Sequence, residues 1–226
     1  MKRLLALCAA DDADYRIKKE NVARDEAILR GAHVLLCSHL EGYFEDLISD
    51  LVEAYDYLTT NISRLPEQLR AWQVMGPASK WETKDPMKRW QAVLAWATHP
   101  LVNQTVPKAL GCMEPALHID GFSNPGTNEI EQLFKSVGID GVWGLFKAIE
   151  PDPIIFQSIN AIVNRRNQIA HGRTDATITL SDARLYVERA ERVAAVFEQL
   201  VTLEVNKRLV LPDCWQALES TGHSTS

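Results

Sequence analysis

Between Pro153 and Thr174 the chain carries Arg165, Arg166, Arg173 and His171, and no Asp or Glu. Arginine clamps a phosphate with a planar fork of donors, and histidine takes and returns protons near neutral pH. Together the two types suit phosphodiester chemistry that needs no metal, with acid–base work by the ring and charge stabilisation by the guanidinium. The window is +3 in a chain of net charge −6, so the remainder carries −9. Positive potential is therefore focused at one place on an acidic scaffold. Spacing alone is worthless here. With 6 His and 14 Arg in 226 residues, an Arg five to seven positions before a His arises about once by chance. A His at a helix C-terminus is also a common structural device, because it meets free carbonyls and the dipole.

The element that must position these groups is a predicted helix over Ile154–His171, opened by Glu150-Pro-Asp-Pro153 and closed by Gly172 at the C′ position. On its wheel Ile155, Ile159, Ile162, Val163, Ile169 and Ala170 form one apolar face, with Arg166 in the middle of it. Asn160, Asn164, Asn167 and His171 form a neighbouring polar stripe. A guanidinium on an apolar face must be paired, snorkel to water or lie at an interface, because an unpaired buried charge costs several kcal/mol.

Composition bounds the rest. Hydrophobic residues are 46% and charged residues 24%, which is too apolar for wholesale disorder and too charged for a membrane bundle. The most membrane-like stretch, Gln91–Pro107, is interrupted by His99, Pro100 and Asn103. The start, MKRLLALCAA, has a faint signal-peptide outline, but its apolar run is minimal and Asp11, Asp12 and Asp14 follow at once. The segment is read as mature and the protein as cytoplasmic. The net charge of −6 argues against broad coating of nucleic acid and leaves a small local site open. Cys8, Cys37, Cys112 and Cys214 form no CxxC pair, so a zinc ribbon or redox motif is excluded and free thiols are expected. His33, Cys37 and Glu41 fall at i, i+4, i+8 on one helix face, a possible partial metal site. Val34, Leu35, Leu36 and Leu40 around them favour a core helix, and no metal or other cofactor is assigned.

Along the chain, Val22–Leu58 reads as a long buried helix with Leu29, Leu36, Leu40, Phe44, Leu47 and Leu51 on its stripe, widened by Ile28, Leu35 and Ile48. Residues 59–123 hold most of the prolines and four of the six Trp. Short helices are predicted near Pro66–Val74 and Pro86–Ala97, as an elaboration of the helical core. Asn128 is expected to cap a helix with Glu131 at N3, ended by Gly138 after Val137. Ser181 is expected to cap a last long helix with Leu185, Val193, Phe197, Leu200 and Leu203 inward. Residues 213–226 are expected to fray. The only strand candidate is Thr177–Leu180. The prediction is one all-α domain over 1–226, with its core at 22–58 and 124–207 and a Trp/Pro-rich insertion at 59–123.

The string Arg165-Arg-Asn-Gln-Ile-Ala-His-Gly172 resembles the RNxxAHG form of the Rx4–6H signature of HEPN domains, helical proteins many of which are ribonucleases. Ile28–Leu47, with His39-Leu-Glu-Gly-Tyr-Phe-Glu-Asp-Leu47, resembles the first core helix of the RiboL-PSP-HEPN and MAE-like branches. Asn124-Pro-Gly-Thr-Asn128, before a helix ending in Val137-Gly-Ile139, fits the same branch. The resemblance covers about residues 22–58 and 124–207; the Trp-rich region has no counterpart in it.

The resemblance implies a HEPN-like bundle and a homodimer in which two Rx4–6H helices face each other across a composite cleft. Part of the apolar stripe would then be an intermolecular surface. The implied activity is a metal-independent endoribonuclease, a toxin or anti-phage effector in type, that leaves 2′,3′-cyclic phosphate ends. His171 would be the acid–base group and Arg166 the phosphorane stabiliser, while Asn167 would orient the imidazole or bind phosphate. Glu41 and Asn164 would support them, with Glu41 neutralising Arg166 or fixing the His tautomer. Arg165 and Arg173 would hold the RNA backbone. An antitoxin or regulatory partner is a further expectation. Two alternatives stand beside this reading. One is a non-catalytic HEPN-like module that binds a protein or nucleotide. The other is a helical adaptor that uses Lys80–Trp90, where two Trp among four basic residues could stack bases or pack as an amphipathic loop.

Overall fold

The computed structural model describes residues 19–78, 85–102, 108–173 and 175–222. The described residues are helical, with turns and coil and no strand. The main helices are α1 (Lys19–Leu58), α2 (Glu67–Ala78), α3 (Pro86–Thr98), α4 (Ala116–Ile119), α5 (Thr127–Ser136), α6 (Val142–Ile149), α7 (Pro153–Ala170), α8 (Leu180–Leu209) and α9 (Cys214–Glu219), with a 3-10 turn at Ile62–Arg64. None of them is long and apolar enough to cross a membrane. The leader-like start, and Lys80, Trp81 and Lys84 of the Trp-rich motif, lie outside the described residues.

The chain gathers into two compact units. The first takes residues 19–44, Ser123–Glu129 and Phe146–Phe197. Its core joins Leu29, Ala32, Leu36 and Cys37 of α1 with Ile162 and Val163 of α7 and Ala183, Val187 and Ala190 of α8. Phe44 meets Phe197 edge to face at 4.9 Å between ring centroids, and Tyr43 donates its hydroxyl to the Ala194 carbonyl at 2.7 Å. His33 is buried. Its Nε2 lies 2.9 Å from the Ile162 carbonyl, and its ring stands edge-on to Tyr186. A histidine engaged in this way is a fastener between α1 and α7. The described residues contain no group of three His, Cys, Asp or Glu able to hold a metal.

The second unit takes Glu45–Phe122, Ile130–Leu145 and the chain from Glu198 onward. The Trp-rich region thus shares a unit with the second half of α1, most of α5 and the end of α8. Lys108 is fully buried. Its ammonium lies 2.7 Å from Asp56 Oδ1 and donates to the carbonyls of Asp56 and Ala109, while Asp56 Oδ2 accepts the Met113 N–H. Buried His118 is held between Gln73 Nε2 and Ser136 Oγ, each at 3.0 Å. Ser136 Oγ donates to the Leu133 carbonyl, so it accepts from His118 Nδ1, and His118 Nε2 is left to accept from Gln73.

Several local expectations need correction. The described part of the 213–226 tail does not fray: Asp213 caps α9 by accepting from Trp215 and Gln216, and Cys214 and Leu218 are buried. The cap of α8 is not Ser181. Thr179 and Asp182 form a reciprocal capping box there, which also consumes the strand candidate Thr177–Leu180. Helix α5 begins at Thr127 rather than after Asn128, and the Thr127 N–H donates to Asn160 Oδ1 at 3.0 Å. Leu35, Leu185 and Leu203 are exposed, at 45%, 41% and 52%, so they leave the stripes that periodicity assigned them. Trp90 projects from α3 at 71% exposure and does not pack as an amphipathic loop would.

Candidate functional site

Asp152 opens α7 by accepting from the Ile154 N–H at 2.9 Å, with Pro153 at the first helical position. The other end is a complete Schellman motif. Gly172 takes φ +71 and donates to Ile169, Arg173 donates to Gln168, and the His171 N–H reaches the Asn167 carbonyl at 3.0 Å. His171 is therefore the C-cap residue, with φ −82 and ψ 11. Its place is set by helix-end hydrogen bonds, and its side chain is exposed. Gly172 answers the need for a left-handed residue, which a side chain there would disfavour.

Arg166 lies where the buried part of the apolar stripe gives out. Ile155, Ile159, Ile162 and Val163 are buried, whereas Ile169 is half-buried and Ala170 exposed. Because α1 and α8 of the same chain cover Ile162 and Val163, this stretch of the stripe is not an intermolecular surface. Arg166 is half-buried and donates through Nη1 to Asn124 Oδ1 at 2.9 Å and Asn167 Oδ1 at 3.0 Å. Both acceptors are neutral amides.

Asn124 was not among the sequence-derived site residues. It adopts φ 52, an uncommon conformation that Asn tolerates better than most side chains. Its backbone N–H donates to Glu41 Oε2 at 3.3 Å. Glu41 thus reaches Arg166 through Asn124, and does not neutralise it by direct pairing. Pro125 and Gly126 behind Asn124 are buried, and a Cβ on Gly126 would come within 2.7 Å of Glu129 Oε2. The Asn124-Pro-Gly string was legible as a turn, and its contact with Arg166 across 42 positions was not.

The electrostatics agree with this arrangement. Burial pushes the Cys37 thiol pKa up, the Arg166 charge opposes the rise and the Glu41 charge adds to it. Arg165 is half-buried, and its charge acts on His33, Asp175 and Asp182. Arg173 is engaged in a bidentate fork with Asp175, at 3.0 and 2.6 Å, so the acid just past the cationic window offsets its charge. Asn164 is exposed on the polar stripe. Asn167 points its oxygen at Arg166, so in this arrangement it steadies the guanidinium and does not orient the imidazole. The structure therefore brings Arg166, Asn167, Asn124 and Glu41 together one helical turn before His171.

A family model described as RiboL-PSP-HEPN matches residues 9–202. Neither the curated proteins nor the solved structures yield a significant match.

Proposed function

The chain belongs to the RiboL-PSP-HEPN family, and from that premise we propose that it is a metal-independent endoribonuclease working as a homodimer. The observation that carries the reading is a half-buried Arg166 held by two neutral amides, just before a histidine fixed at a capped helix end. In the proposed reaction one His171 removes the proton of a ribose 2′-OH, whose oxygen attacks the adjacent phosphorus. The P–O5′ bond breaks, and the 5′-oxygen takes a proton from the second His171 of the dimer. The products are a 2′,3′-cyclic phosphate and a 5′-hydroxyl. Arg166 offsets the extra negative charge of the phosphorane, a type of contribution worth about 10²–10³-fold in rate. RNA as substrate, a cytoplasmic setting and control by an antitoxin-like partner belong to the same proposal.

The test is cleavage of cellular RNA in EDTA, with end-group analysis. The expected result is cyclic-phosphate ends and loss of at least a hundredfold in rate for His171→Ala, with the melting temperature unchanged because the ring is exposed. Equal cleavage by His171→Ala, or a requirement for a divalent metal, would overturn the mechanism.

A further inference from the structure

The two residues that hold Arg166 have chemically directional side chains. An amide that accepts from a guanidinium must do so through its oxygen, which leaves its NH₂ as a pure donor. Asn124 and Asn167 both accept from Arg166 Nη1, at 2.9 and 3.0 Å. Neither Nδ2 has a hydrogen-bond partner among the described residues, and both residues keep part of their surface open to solvent. Glu41 is directed to the Asn124 backbone N–H. The result is a guanidinium with its full charge, flanked by two amides whose remaining capacity is to donate. Every free hydrogen-bonding group in that set suits an oxyanion.

We propose that Asn124 is a substrate-contacting residue, and that Asn124, Arg166 and Asn167 form one seat for a phosphodiester oxygen. The inference rests on the nuclease reading only for the identity of the ligand, a phosphate of RNA. The left-handed backbone at Asn124 is what brings a residue 42 positions upstream onto the same guanidinium as its helical neighbour. A role limited to holding Arg166 would be served equally well by aspartate, which accepts the same hydrogen bond and tolerates the same φ. The proposed role would not, because Asn124→Asp removes the donor and places a negative charge against both Arg166 and the incoming phosphate.

The experiment measures binding of a fluorescein-labelled, mixed-sequence 2′-O-methyl RNA, which lacks the attacking hydroxyl, alongside cleavage of the unmodified RNA. Asn124→Asp is expected to melt like the parent and to bind at least tenfold more weakly at 100 mM salt. Its plot of log affinity against log salt should be shallower by about 0.7 of a unit, as for one lost phosphate contact on a single strand. Asn124→Gly, which keeps the backbone conformation and adds no charge, should also bind more weakly and cleave at least tenfold more slowly. If Asn124→Asp does not fold, the glycine variant decides. Parental binding and cleavage by Asn124→Gly, or by a folded Asn124→Asp, would overturn the seat while leaving the nuclease reading intact. A parent that binds but never cleaves, with binding lost in both variants, would support the seat and overturn the nuclease. A parent that neither binds nor cleaves would overturn both.

Discussion

A guanidinium beside isoleucines needs acceptors for its N–H groups, and the charge on those acceptors decides what else it can do. A carboxylate in place of either amide would satisfy Arg166 and cancel its charge; two amides satisfy it and leave it cationic. One Nη1 serves both amide oxygens, so the guanidinium keeps the three N–H groups of Nε and Nη2, whereas a lysine ammonium bonded to the same two oxygens keeps only one. Arg166→Lys is therefore expected to keep the fold and lose at least tenfold in cleavage rate, checked by initial rates beside a thermal melt. At this scale Arg166 and His171 were legible because an apolar face interrupted by arginine, next to a polar stripe ending in histidine, is visible in one helix. Asn124 was not. Its part depends on a positive φ and a contact made across 42 positions, neither of which has a local signature beyond an Asn-Pro-Gly turn.

Helix ends show what local chemistry can and cannot announce. Gly172 and Gly138, with φ +71 and +84, stand where a left-handed residue is required, and glycine advertises that need. Helix α8 ends the same way with the wrong residue: Leu211 donates back to Asn206 at 3.0 Å across Val210, which takes φ 60. A β-branched side chain in that conformation is strained by about 1–2 kcal/mol, and at 75% exposure Val210 regains little by packing. Val210→Gly is expected to stabilise the protein by about 1 kcal/mol, raising the melting temperature by roughly 2–4 °C in a chain of this size. Calorimetry of the variant checks this, and a lower melting temperature would refute it. Periodicity was weaker evidence along the long helices. Across the 30 residues of α8, Val193, Phe197 and Leu200 keep to the buried stripe, while Leu185 and Leu203 stand outside it. Different neighbours cover different parts of a long helix, and the repeat alone does not say which.

For the molecule as a whole, all-helical architecture was readable from apolar spacing and from the scarcity of alternating stretches. The grouping of segments was not, because the second unit is assembled from three separated stretches, including most of α5 and the end of α8. Its buried polar groups carry a pH signature. Burial pushes the His118 pKa down to about 4, from 6.5 for a free ring. Between those values the unfolded chain binds a proton that the folded one refuses. This residue therefore costs nothing above pH 6.5, and its penalty grows to about 3 kcal/mol as the pH falls to 4. His33, lowered in the same direction by its own burial, adds to the effect. Urea midpoints at pH 7, 5 and 4 should fall more steeply for the parent than for His118→Gln, and parallel profiles would refute the assignment. The Lys108–Asp56 anchor has a different consequence, one of chain statistics. It pins the two ends of a segment whose anchor residues lie 52 positions apart. The entropy of closing such a loop grows only with the logarithm of its length, so doubling it would cost about 0.6 kcal/mol. A change of length in the Trp-rich stretch is thus cheap in chain entropy while the clamp at its base is kept, and what resists change there is the packing of Leu65, Leu69, Val74 and Leu101, all buried.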